Sequence, residues 1–256
     1  MNRNPFQPPP IPRSAAFVNG MKASCILARQ TLEMVDERLK AGVTTEDINR
    51  WVHEFTLDNG AIPATLNYHG YPKSCCTSLN EVVCHGIPSA GAVVKEGDLL
   101  NVDVTCILDG YFGDTNRTFL IGDVSAEAKK ITAIAKHCLD LGIEAVKPYG
   151  HIGDIGQAIQ TYAHEQGCGV VEQFVGHGIG RTFHAEPQVP HFGRSGSGAI
   201  IVPGMFFTIE PMINVGKKGV RVLDDHWTAV TIDGKLSAQF EHTLYVSETS
   251  VEVLTA

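Results

Sequence analysis

The chain has 256 residues, 20 Lys+Arg against 28 Asp+Glu for a net charge of −8, and 43% hydrophobic and 7% aromatic side chains. That length suffices for one large core or two small domains, and an acidic balance without a basic stripe excludes an electrostatic footprint for nucleic acid or an anionic membrane. The apolar content excludes a disordered chain, and no apolar run approaches the ~20 residues that span a bilayer.

Residues 1–13 carry Pro5, Pro8, Pro9, Pro10 and Pro12 and no apolar signal core. They read as a proline-rich N-terminal arm, extended and solvated, with a PxxP pattern from Pro9 to Pro12. Apolar periodicity then predicts a helix over roughly 15–41. A second opens at Asp47-Ile48 behind a Thr44/Thr45 cap and stops at Gly60. A third covers 125–146 behind Ser125, and a fourth opens at Asp154-Ile155 and stops at Gly167. The second pair repeats the first at an offset of 107 (154 − 47 and 167 − 60). At the same offset the strand-like Gly97-Asp98-Leu99-Leu100-Asn101-Val102-Asp103 aligns with Gly204-Met205-Phe206-Phe207-Thr208-Ile209-Glu210, which makes Asp103 and Glu210 equivalent. A duplicated helix–helix–strand unit predicts an α+β protein of two packed halves, related by an approximate twofold, with helices on one face of curved antiparallel sheets. Short Gly and Asp coincidences would produce the same offset, so the chemistry has to weigh in.

In Leu100-Asn101-Val102-Asp103-Val104-Thr105 apolar and polar residues alternate, so Asn101, Asp103 and Thr105 share one strand face. Asp109-Gly110 reads as a two-residue hairpin turn, and pairing outward from it sets Leu108 opposite Tyr111, Cys106 opposite Gly113 and Thr105 opposite Asp114. Asp103 and Asp114 are then diagonal cross-strand neighbours, ~7–8 Å apart at the backbone. Two carboxylates that close repel unless a cation lies between them or one is protonated; on an isolated hairpin they are equally at home in solvent.

Met205 to Met212 reads as another alternating strand, with Thr208 and Glu210 on one face, and Gln239, Glu241 and Thr243 share a face further on. Both glutamates are embedded among large apolar residues, where an uncompensated carboxylate is costly. Four carboxylates and an imidazole suit a pair of divalent first-row ions bridged by water or hydroxide. The imidazoles come from Val83-Cys84-His85-Gly86-Ile87 and Val175-Gly176-His177-Gly178-Ile179, with Phe183-His184 following. Their flanking glycines predict close approach of a substrate backbone. The other eight of the 11 histidines read as surface or packing residues. Seven cysteines, with Cys75 and Cys76 adjacent and no C-x-x-C pair, argue against a disulfide framework or zinc ribbon and for a reducing, cytoplasmic location. His53-Glu54 lacks the second histidine of a zincin helix, and no P-loop or G-x-S-x-G occurs.

The strings Asn80-Glu81-Val82-Val83-Cys84-His85-Gly86-Ile87-Pro88, Asn101-Val102-Asp103-Val104-Thr105, Gly113-Asp114-Thr115, Gly176-His177-Gly178-Ile179-Gly180, Thr208-Ile209-Glu210-Pro211-Met212 and Gln239-Phe240-Glu241-His242-Thr243 resemble type I methionine aminopeptidases, in family order. The resemblance implies the pita-bread fold over a single catalytic domain, residues 14–256, in agreement with the repeat. It implies two divalent metal ions (Co, Mn, Fe, Zn or Ni) on Asp103, Asp114, His177, Glu210 and Glu241, with Asp114 and Glu241 bridging. Glu210 would shuttle the proton, His184 would stabilise the tetrahedral intermediate, and His85 would contact the scissile amide. The methionine pocket would be walled by Tyr68, Tyr71, Cys76, Phe183 and Trp227, an aromatic lining suited to a thioether. Thr65 stands where many members carry cysteine and predicts a slightly more polar pocket edge. The implied reaction removes N-terminal methionine from nascent proteins and peptides when the second residue is small, by a monomer in transient contact with the ribosome by family analogy. Two alternatives remain. A proline-specific peptidase of the same fold predicts an additional N-terminal domain, which the short arm does not supply. A catalytically inactive adapter of the same fold predicts lost ligands, whereas all five are present.

Overall fold

The computed structural model describes residues 8–256. Its first half comprises helices α1 (Ala15–Arg38) and α2 (Thr45–Asp58), then strands β1 (Ile62–Pro63), β2 (Cys76–Leu79), β3 (Val82–Cys84), β4 (Leu99–Leu108) and β5 (Tyr111–Leu120). The second comprises α3 (Ala126–Ala145) and α4 (Ile152–Glu165), then β6 (Gly169–Val170), β7 (Gly176–Gly178), β8 (Ala185–Val189), β9 (Phe206–Ile209), β10 (Met212–Asn214), β11 (Val220–Val222), β12 (Ala229–Thr231), β13 (Ser237–Gln239), β14 (His242–Val246) and β15 (Val251–Val253).

The repeat is physical. Helices α2 and α4 have 14 residues each, and their N-terminal caps are closed alike: Thr44 N–H donates to Asp47 Oδ2 at 3.0 Å and His151 N–H to Asp154 Oδ2 at 2.9 Å. Both helices run into a left-handed glycine, Gly60 at φ 74° and Gly167 at φ 75°. Pairing follows the same offset: Ile62 opposes Ile107 in β1 and β4, and Gly169 opposes Asn214 in β6 and β10. The isolated bridges Thr44–Val93 and His151–Ile200 obey it too.

Alternation along β4 sends Leu100, Val102 and Val104 into a core with α1 and α2. Phe207, Ile209 and Ile213 of the other half pack with α3 and α4. Burying such side chains stabilises the fold by about 1.5–3 kcal/mol each, which fixes the register and leaves Asp103 no choice of face. The expected pairing about Asp109-Gly110 is the observed one: Leu108 opposes Tyr111, Cys106 opposes Gly113, and Thr105 opposes Asp114. Both turn residues have positive φ, 52° and 77°, as a two-residue hairpin of this hand requires.

Two expectations are corrected. The strand expected from Met205 to Met212 is broken: β9 ends at Ile209 and β10 begins at Met212. Pro211 has no N–H to continue a ladder. Its partner breaks in step, with His242 opposite Ile209 and Gln239 opposite Met212. Glu210 and Glu241 therefore lie where a hairpin passes from one sheet into another. The arm, expected to be solvated, is anchored at its end. Ile11 N–H donates to the Pro203 carbonyl at 2.8 Å, Arg13 Nε donates to that of Gly204 at 3.0 Å, and the Arg13 guanidinium lies over the Phe17 ring. The expected arm's residues 1–7 lie outside the described residues.

The halves join along β5. Glu241 N–H donates to the Asn116 carbonyl at 3.1 Å, and the Thr115 and Thr118 hydroxyls donate to the Glu241 and Gln239 carbonyls, both at 2.8 Å. That seam carries the site.

Candidate metal centre

Asp103 on β4 and Asp114 on β5 occupy the expected diagonal, since Asp103 opposes Asn116. The Thr105 hydroxyl donates to Asp114 Oδ1 at 2.7 Å. From the other half, β7 brings His177 Nε2 within 3.4 Å of Asp114 Oδ2 and 3.6 Å of Glu210 Oε1. His177 Nδ1 lies 3.1 Å from the Gly178 carbonyl, which holds the ring proton there and leaves the Nε2 lone pair free to face Asp114 and Glu210. Asn116 Nδ2 donates to Glu241 Oε2 at 2.8 Å, and Glu241 Oε1 is buried with no hydrogen-bond partner. Ligand atoms of Asp114, His177 and Glu241 all lie within 4.8 Å of one another.

The electrostatics ask for cations. Burial first, and then Asp114 and Glu210, push the Asp103 carboxyl well above its ordinary range. Burial and the Asp114, Glu210 and Asp103 charges do the same to Glu241. Glu210 is raised to about 7 by burial and by Asp114, against the opposing pull of His177. Burial lowers the His177 pKa, but Asp114 and Glu210 outweigh it and leave the ring above its ordinary value. Carboxylates forced together around an unpartnered oxygen and a ring nitrogen aimed at them are a donor set of hard and borderline ligands, which fits divalent ions.

A cavity of about 120 Å³ opens onto this cluster, lined by Thr65, Tyr68, Tyr71, Cys76, His85, Phe183, His184 and Trp227 together with Asp103, Asp114 and His177. Every residue expected in the pocket wall is there. Glu210 reaches the cluster through its contact with His177, and Glu241 lies behind it at 2% exposure. The His184 ring stacks on Phe183 with centroids 4.1 Å apart, and its Nδ1 lies 2.7 Å from the Tyr68 hydroxyl. Burial and the neighbouring His177 charge hold His184 down to about 4, so it is neutral at pH 7. His85 lies with its edge toward Phe174 and Trp227 and is held neutral by burial.

The family model for metallopeptidase family M24 matches residues 19–248. Methionine aminopeptidase A of Synechocystis sp. is 53% identical over 238 residues, 93% of this chain and 94% of its own. The methionine aminopeptidase of Haemophilus influenzae is 49% identical over 237 residues, 92% of this chain and 88% of its own. The chain belongs to the methionine aminopeptidases of metallopeptidase family M24. A crystal structure of the methionine aminopeptidase from Rickettsia prowazekii superposes with a TM-score of 0.94 at 44% identity, covering 96% of this chain and all of that one. The fold is pita-bread. A prolidase from Pyrococcus furiosus, 18% identical with a TM-score of 0.74, shares that fold across 95% of this chain and 65% of its own length.

Three details refine the sequence expectation. Glycines beside the histidines make room for the protein's own backbone: a Cβ on Gly178 would meet the Glu186 carbonyl oxygen at 2.1 Å, and one on Gly86 that of Thr77 at 2.1 Å. The Thr65 hydroxyl donates to the Lys73 carbonyl at 3.0 Å, so its proton is engaged by the chain. His191, grouped with surface and packing histidines, is fully buried, and its Nε2 accepts the Glu210 N–H at 3.1 Å. Alternation had placed Thr208 and Gln239 on the ligand faces without a role. The Thr208 hydroxyl donates to Glu210 Oε1 at 2.8 Å and Gln239 Nε2 to Glu210 Oε2 at 3.3 Å. The seven cysteines are free, and burial raises Cys75, Cys76 and Cys84 so that all three stay thiols and poor nucleophiles.

Proposed function

We propose that the chain is a metal-dependent aminopeptidase that removes N-terminal methionine from peptides and nascent proteins whose second residue is small. The observation that carries this reading is the opening of one aromatic pocket onto a carboxylate–imidazole cluster built from both halves. Asp103, Asp114, His177, Glu210 and Glu241 would hold two divalent ions, drawn from Mn, Fe, Co, Ni and Zn. Bound there, the ions would supply Lewis-acid polarisation and a water acidified at neutral pH.

The chain's own groups do the rest. Tyr68, Tyr71, Phe183 and Trp227 receive the methionine side chain, and the Tyr71 hydroxyl braces the wall by donating to the Gly86 carbonyl at 2.9 Å. Glu210, held by Thr208 and Gln239, is poised to take a proton and hand it to the leaving amine. With Tyr68 donating to His184 Nδ1, the ring proton is on Nε2 and is offered to the oxygen that gains charge. His85, in the cavity lining beside Trp227, would contact the scissile amide. The acidic surface and the absence among the described residues of a helix long enough to cross a membrane are compatible with a cytoplasmic monomer that meets nascent chains at the ribosome.

Substrate choice tests the reading. With Mn(II) present, Met-Ala-Ser should release methionine, while Met-Leu-Ser, Leu-Ala-Ser and Leu-Pro-Ala should be turned over at least tenfold more slowly, about 1.4 kcal/mol in transition-state binding. Equal turnover of Leu-Pro-Ala would favour a proline-directed peptidase.

A further inference from the structure

Glu210 lies at the break between β9 and β10, where no ladder partner receives its N–H. A buried N–H without an acceptor costs about 1–3 kcal/mol, and Pro211 next door has no N–H with which to restore the pairing. The group that answers is His191, in the loop after β8. Its ring is fully buried, Nε2 accepts the Glu210 N–H at 3.1 Å, and Nδ1 has no hydrogen-bond partner. Since Nε2 accepts, the ring proton is on Nδ1 and is itself unsatisfied. Leucine or phenylalanine would fill this space without an unpaired Nδ1–H, but would leave the Glu210 N–H with no acceptor.

We propose that His191 is a positioning residue for the metal centre, its Nε2 fixing the backbone of Glu210 so that the carboxylate meets His177 and the ions with its geometry set in advance. Three constraints then define Glu210. Thr208 holds Oε1, Gln239 holds Oε2 and, at 3.1 Å, the Glu210 carbonyl, and His191 holds the N–H. Releasing the last lets the Glu210–Pro211 corner turn, which moves the carboxylate as a lever. Loss of such an outer contact typically weakens ion binding about 10–100-fold.

The inference rests on Glu210 being an ion ligand, so the unaltered chain is tested first. Calorimetric titration of metal-free protein with Mn(II) that shows no binding defeats the ligand assignment itself. Given binding, His191→Gln and His191→Asn separate the roles, because the glutamine carbonyl reaches the position of Nε2 and the asparagine carbonyl, one methylene shorter, does not. The expected result is Mn(II) affinity within about threefold of the unaltered chain for His191→Gln and a loss of about 10–100-fold for His191→Asn, with a fall in kcat and little change in KM. The metal-free His191→Asn variant should melt below His191→Gln, because it alone leaves the buried Glu210 N–H without an acceptor. Equal Mn(II) affinity in the two variants overturns the proposal, whether both match the unaltered chain or both fall. If His191→Asn does not fold, His191→Met replaces it, with the same reading of the outcomes.

Discussion

Glu241 has one oxygen held by Asn116 and the other held by nothing, in a place where three further carboxylates crowd it. A protein without ions gains from neutralising this residue, and a protein with ions needs its charge. Glu241→Gln keeps the acceptor for Asn116 and removes the charge. It is expected to raise the melting temperature of the chelated protein by roughly 2–4 °C, the shift for about 1 kcal/mol in a chain of this size, while abolishing peptidase activity. Differential scanning fluorimetry with a parallel peptide assay measures both, and a lower melting temperature would mean that the carboxylate stabilises the metal-free fold. At this scale the sequence was legible wherever local geometry set the partner. The Asp109-Gly110 turn fixed the register that brings Asp103 and Asp114 together. His191 was not legible, because its partner is 19 positions away across a loop that carries no periodicity.

Among the elements, β7 has the least freedom. It is three residues long, and Gly176 and Gly178 let β9 and β8 approach on either side: a Cβ at Gly176 would meet the Thr208 carbonyl oxygen at 2.4 Å. Gly178→Ala is expected to force β8 outward, to cost about 1–3 kcal/mol as an overpacked site, and to reduce activity beyond what stability explains, because His177 moves with the strand. Urea unfolding and kcat/KM on folded protein check this; unchanged values of both would show the contact to be easily relieved. Helix ends were legible because capping chemistry repeats, with Asp47 and Asp154 closing equivalent first turns. The sheet breaks were less so. Alternation from Met205 to Met212 looks continuous on paper, and only the missing N–H of Pro211 hints that Glu210 stands at a corner.

For the whole molecule, two halves at one offset meet along β5 and bring four carboxylates to their seam. The same sequence that repeats the helices lengthens the second hairpin between Asn214 and Ser237, where β11 and β12 carry Trp227 toward the pocket. Nothing in the repeat foretells that insertion. The carboxylate cluster couples stability to pH with a definite sign. Glu210 is raised from 4.5 to about 7, and Asp103 and Glu241 lie above their ordinary range. The metal-free fold therefore binds protons more tightly than the unfolded chain, and its stability from these groups is full below about pH 4.5 and lost as pH rises through about 7. His177, also raised, adds to the same trend. Divalent ions replace those protons, so the melting-temperature gap between Mn(II)-loaded and chelated protein is expected to widen from pH 5.5 to pH 7.5. A gap independent of pH would place the carboxylates in solvent.

The most direct measurement is release of free methionine from Met-Ala-Ser by one preparation before chelation, after chelation and after return of Mn(II). A cluster that holds catalytic ions predicts activity, its loss, and its recovery without any change of fold. Activity that survives complete removal of divalent ions would contradict it.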